Sequence, residues 1–249
     1  MGTTETAFKP RSGLLTAIDV IIAPKAAFER IAMAPTWVWG FLISAILSIA
    51  ANLIALPAAE HAIAVWLPTT LAHNSTIAAM PPDQQQKVIA QQISITQLIL
   101  KFGWIIGPIW ILLSSLVQAG VLFCANAATR GKATFGRLWA LSMNVAVVGF
   151  GVTGIVTALV VIVRGPDGFD SPQALANAVP GLGLLAPAGN PGLTALLTPF
   201  NIVNLWAAAL LALGLTVVAR MRTTPAVVSV AVMFIAWALI GSIAPAVQK

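Results

Sequence analysis

Residues 37–56 read WVWGFLISAILSIAANLIAL, twenty positions without one Asp, Glu, Lys, Arg or His. An α-helix needs roughly 20 apolar residues to cross a hydrocarbon core of about 30 Å. Indoles favour the headgroup level, which suits Trp37 and Trp39 at the start of such a helix. Pro57 is expected to end it. Four further apolar runs free of ionisable residues follow, at about 105–128, 138–163, 200–219 and 226–244. The sequence therefore predicts an all-α integral membrane bundle of five transmembrane helices. Composition agrees, because 59% hydrophobic and 8% charged residues leave too few polar groups to cover a water-soluble globule.

The pieces between the runs suggest the organisation. Residues 1–35 read as a cytoplasmic amphipathic head and 36–249 as the transmembrane domain. In the head, Leu14–Ile22 is apolar but short and carries Asp19, so it is expected to be neither a span nor a cleavable signal. Pro24 suits the first turn of a short helix on which Phe28 and Ile31 share a face, away from Lys25, Glu29 and Arg30. That is the pattern of a helix lying in the membrane interface. Residues 58–82 read as an irregular loop. Asp83 is expected to cap a helix whose Gln-rich turns, Gln84–Gln97, stand out of the bilayer and run on into the second span, with Pro108 kinking it or accommodated by a neighbour. The Gly- and Pro-rich stretch 164–199 holds one short helix capped at Ser171-Pro172-Gln173.

Orientation follows from the basic residues. Assigning the connections alternately to two sides puts Lys9, Arg11, Lys25, Arg30, Arg130, Lys132, Arg137, Arg220 and Arg222 on one and Lys87, Lys101, Arg164 and Lys249 on the other. The positive-inside rule then places the N-terminus in the cytoplasm and the C-terminus outside. The formal charge of +6 does not point to nucleic acid, because these cations are scattered at segment ends without interleaved aromatics.

Chemistry is marked mainly by what the spans lack. Intramembrane ionisable residues are the usual signature of proton relays and ion-coupled transport. The spans carry uncharged polar groups instead, among them Ser44, Ser48 and Asn52 four apart on one face, Ser114, Ser115, Gln118 and Asn126, Ser142 and Asn144, and Asn201, Asn204 and Thr216. Ser44, Ser48, Asn52, Gln118 and Asn204 are expected to serve helix packing, with interhelical hydrogen bonds worth about 0.6 kcal/mol each. Gly149-Phe150-Gly151-Val152-Thr153-Gly154 has the letters of a dinucleotide-binding loop but sits inside an apolar run, so close helix approach is the better account. His61 and His73, with Glu60 and Asp83, match no metal-ligand spacing, and Cys124 has no cysteine partner. No catalytic, cofactor-binding or metal-ligating residue is expected, and no cofactor. The basic stretch Arg130 to Arg137, with Phe135 among its cations, suits either a topology signal or a site for anionic headgroups.

Several motifs resemble the Yip family, the Ypt- or Rab-interacting membrane proteins, in its bacterial form. Ile21-Ile22-Ala23-Pro24-Lys25-Ala26-Ala27-Phe28-Glu29-Arg30-Ile31 followed by Pro35-Thr36-Trp37 is similar to the family's entry to its first span. Gly131-Lys132-Ala133-Thr134-Phe135-Gly136-Arg137-Leu138 is similar to its loop between spans two and three. Asn201-Ile202-Val203-Asn204-Leu205-Trp206 resembles its fourth span, and Ser171-Pro172-Gln173-Ala174-Leu175 the loop before it. The resemblance implies five spans and a cytoplasmic N-terminus. The Asp-Leu-Tyr-Gly-Pro type of motif linked with Rab binding is missing from a chain with no tyrosine, so that role is not carried over.

The expectation is a non-enzymatic multi-pass protein of the bacterial inner membrane, organising or scaffolding through protein or lipid partners. Contacts are expected at Lys25, Phe28, Arg30, Arg130, Lys132 and Arg137. The partners expected are membrane lipids, a protein at the cytoplasmic face and a second copy of the chain, not nucleic acid. The alternative is a small-solute channel or transporter subunit with Ser44, Ser48, Asn52 and Gln118 lining a path.

Overall fold

The computed structural model describes residues 12–187 and 190–247, so Lys9, Arg11 and Lys249 lie outside the described residues. Among those described the chain is helical and contains no strand, only an isolated bridge between Gly181 and Asn201. Four helical stretches are long and apolar enough to cross a membrane: Val38–Ala72, Gly103–Ala128, Phe135–Arg164 and Thr223–Ile243. The protein is thus an all-α, multi-pass membrane protein.

The head folds as two short helices, α1 (Gly13–Ile22) and α2 (Pro24–Met33), with Ser12 capping the first and Pro24 opening the second. The first long helix, α3 (Val38–Ala72), runs for 35 residues with Pro57 and Pro68 inside it, so Pro57 does not end the span and most of 58–82 is not loop. Proline is tolerated within membrane helices where neighbours satisfy the freed carbonyl. At 1.5 Å per residue α3 is about 52 Å long, well beyond the hydrocarbon thickness. It packs against α5 (Pro82–Lys101), reached through the single turn of α4 (Ser75–Ala78). Glu60 on α3 and Lys101 at the end of α5 approach to 3.9 Å at the base of this arm. The Gln-rich helix starts after Pro81 without a side-chain cap, and Asp83, expected to cap it, lies within its first turn. It stops at Phe102 instead of running on, and α6 (Gly103–Ala128) starts afresh with Pro108 inside it.

The third span is built of α7 (Phe135–Ala146), a π-helical segment Val147–Val152, and α8 (Thr153–Arg164). It lies at the centre of the bundle, with 39% of its most apolar stretch buried against 17 to 22% for the other three. The stretch resembling a dinucleotide loop therefore sits in mid-span. A Cβ at Gly151 would come within 2.9 Å of Leu47 and one at Gly154 within 2.9 Å of Ala51, both on α3.

Beyond Arg164 the chain forms α9 (Pro172–Ala176) and α10 (Pro191–Leu197). The Ser171 hydroxyl accepts from the Ala174 amide at 3.1 Å, the cap its spacing predicts. The fourth apolar run folds as α11 (Ile202–Val218), 17 residues and about 25 Å. Asn201 starts it, accepting from the Asn204 amide, and Arg220 turns the chain away. The last helix, α12 (Thr223–Val247), follows at once. The main core lies towards the end where α2, α7 and α11 meet and contains Phe28, Ile31, Leu138, Leu141, Leu215 and Met221.

Candidate functional site

The head is not a free interfacial element. Phe28 and Ile31 are 0% exposed and belong to the core, so Phe28 cannot be the partner contact that its amphipathic position predicts. Arg30 is withdrawn as well. Its guanidinium pairs with Asp19 on α1 and donates through Nε to Thr16 Oγ1 at 3.1 Å, leaving the side chain 10% exposed. The carboxylate that disqualified α1 as a span is thus the anchor joining α1 to α2. Lys25 stays exposed. The outward apolar stripe belongs to α1, where Leu14, Leu15, Ile18, Ile21 and Ile22 are all at least 36% exposed. That one-sided spacing suits a helix lying in the lipid interface.

Beside the head, Lys132, Arg137 and Arg220 line a cavity of about 410 Å³ whose remaining walls are Ala32, Met33 and Val218. No carboxylate lines it, and none of the three cations forms an ion pair among the described residues. The 129–134 loop is held by hydrogen bonds to its backbone. Asn126, 3% exposed, accepts from the Ala133 amide at 3.3 Å and donates to the Ala133 carbonyl at 3.1 Å. The Lys132 amide donates to the Ala219 carbonyl at 2.9 Å, tying the end of α6 to the end of α11. Gly131 is needed there, because a Cβ would lie 2.0 Å from Asn126 Oδ1.

Both helices end in a left-handed residue, Arg130 at φ 56° and Arg220 at φ 53°. Glycine is usual at such a position, and a residue with a side chain costs about 1 kcal/mol or more there. Keeping arginine at both ends is the kind of backbone outlier from which function is argued. Arg130 and Arg222 are exposed near the cavity in sequence but do not line it. Arg220 is the site residue that the expected contacts omit, although the count of charges puts it on the same side. The available signal was an arginine in place of the glycine expected after a helix.

The polar residues of the spans separate into two groups. Ser44 is fully buried and donates to Gly40 of its own helix at 2.7 Å. Ser48 and Asn52 face α6, where a Cβ at Gly107 would lie 3.3 Å from Ser48 Oγ and one at Gly103 2.9 Å from Asn52 Nδ2. This face admits close approach of α3 and α6. Its three side chains make no interhelical hydrogen bond among the described residues, because Ser44 is satisfied locally and the facing glycines offer no side chain. Gln118 and Asn204 are elsewhere, on a second cavity between α6, the π segment, α11 and α12. The continuous path expected from Ser44, Ser48, Asn52 and Gln118 is therefore not formed. His61 lies 3.5 Å from Asp167 and 3.7 Å from Asp170, and His73 bonds to Thr69 of its own helix. Among the described residues no three His, Cys, Asp or Glu side chains gather so as to hold a metal.

No family model, curated protein or solved structure matches this chain.

Proposed function

We propose that this is a non-enzymatic protein of the bacterial inner membrane that holds an anionic phospholipid headgroup at its cytoplasmic end, and so organises the membrane or partners around it. The observation that carries the reading is the convergence of Lys132, Arg137 and Arg220 on a cavity without a carboxylate. Guanidinium and ammonium groups bind phosphate through charge-assisted hydrogen bonds, and each cation near an anionic surface contributes about 1 kcal/mol. The apolar stripe of α1 would keep that end of the bundle at headgroup depth.

The proposal includes five spans, with α11 as the short fourth, and a cytoplasmic N-terminus, supported by the number of basic residues at the end shared by α2, the 129–134 loop and Arg220. It also includes a Yip-type assignment, which rests on the quoted motifs; the one at 131–138 supplies Lys132 and Arg137. Native mass spectrometry of the protein released from membranes containing phosphatidylglycerol and cardiolipin tests the headgroup reading. Replacing Lys132, Arg137 and Arg220 together by Gln should weaken retention of anionic lipid by about 100-fold, from about 3 kcal/mol of lost attraction. An unchanged lipid complement would sink it. Replacing these side chains is more informative than deleting the head, because Phe28 and Ile31 are part of the core.

A further inference from the structure

The second cavity, about 460 Å³, lies at the depth of the membrane spans. Most polar groups on its wall are already satisfied. Ser114 and Ser115 donate to the carbonyls of Ile111 at 3.2 Å and Leu112 at 2.9 Å, and Asn204 donates to Pro199 at 3.1 Å. Two are not. The Gln118 carboxamide makes no hydrogen bond among the described residues, and Thr153 Oγ1, on the wall at the end of the π segment, is buried without a partner. An amide without a partner at hydrocarbon depth is costly, since no bulk water is there to satisfy it. Short π segments within α-helices occur frequently at functional sites.

The rest of the wall states what would fit. No ionisable residue lines the cavity, which excludes a charged head, and Trp110, Phe150, Phe234 and Trp237 offer broad apolar faces. Access is from the side. The last helix α12 packs on α10 and α11 but only sparsely on α6, where Trp110 and Trp237 meet with ring centroids 6.3 Å apart. Those two indoles line the cavity and yet are 50% and 49% exposed on the outer surface of the bundle.

We propose that this cavity binds a neutral, membrane-dissolved amphiphile whose head carries carbonyl or hydroxyl groups, entering between α6 and α12, with Gln118 bonding to that head. The inference is independent of the anionic-headgroup reading, which concerns other residues at one end of the bundle. Its test uses the full chain in phosphatidylcholine nanodiscs with two labelled probes, dioctanoylglycerol for a hydroxyl-ester head and decylubiquinone for a quinone head. Saturable binding of either probe supports the proposal, and the probe that binds identifies the source. Gln118→Leu, close in size and more apolar, should keep the fold and weaken that binding about tenfold. Ala207→Phe, which fills the cavity from α11, should abolish it. The proposal fails if neither probe binds saturably, if Gln118→Leu binds as the parent does, or if phosphatidylglycerol competes as well as the neutral probes.

Discussion

At the end where α2 meets the 129–134 loop, backbone and side chains are tied together. Asn126 clamps Ala133, Lys132 is bonded to Ala219, Arg30 is paired with Asp19, and Phe28 is sealed in the core. At the opposite end α5 has no buried residue, and His61 reaches two aspartates whose side chains are 91% and 82% exposed. Basic residues that would repel one another thus gather at the tied end, where the Asp19 carboxylate is taken up by Arg30, while at the other end the aspartates beside His61 lie open to solvent. A cluster of like charge persists only if packing holds it, and that holding is what an anion site requires.

That contrast can be broken most directly at Phe28. Truncation to Ala should cost about 4 kcal/mol, read as a lowered midpoint in thermal or denaturant unfolding in detergent. Gly131→Ala comes next, at about 3 kcal/mol, because Asn126 is bonded on both sides and has nowhere to move. Arg220→Gly should act in the other direction. Relief of the left-handed conformation should raise stability by up to about 1 kcal/mol while anionic lipid is retained less well, so stability and binding would move apart. At the far end His61→Ala should change stability by no more than about 0.5 kcal/mol, since contacts to side chains as exposed as Asp167 and Asp170 contribute little. If His61→Ala proved as damaging as Gly131→Ala, the two ends would not differ as described.

Much of the architecture was legible in advance. The absence of charge from the apolar runs specifies the membrane, Pro24 opens a short helix of the head as its position predicts, and Ser171 caps its helix. The differences fall at helix ends. Proline ends helices in water, so Pro57 reads as a stop, whereas α3 continues beyond it to Ala72. The break at Phe102 carries no proline or polar cluster to announce it; its backbone, φ −93° and ψ 4°, ends α5 and begins α6. Of the expected contact residues, Lys25, Arg130, Lys132 and Arg137 keep their cations available, and only the latter two line the basic cavity.

Sequence alone determined the solvent of this protein, the helical character of its spans and the positions of its cations, because these depend on composition and on local periodicity. Tertiary structure alone decided that the apolar face of α2 is covered by protein while that of α1 is left exposed. An amphipathic pattern states that a face must be covered, not by what. The same holds for polar residues. Asn52 and Gln118 are indistinguishable as amides within apolar runs, yet one lies against a glycine and the other opens on a cavity. Only the packing of neighbouring helices separates them.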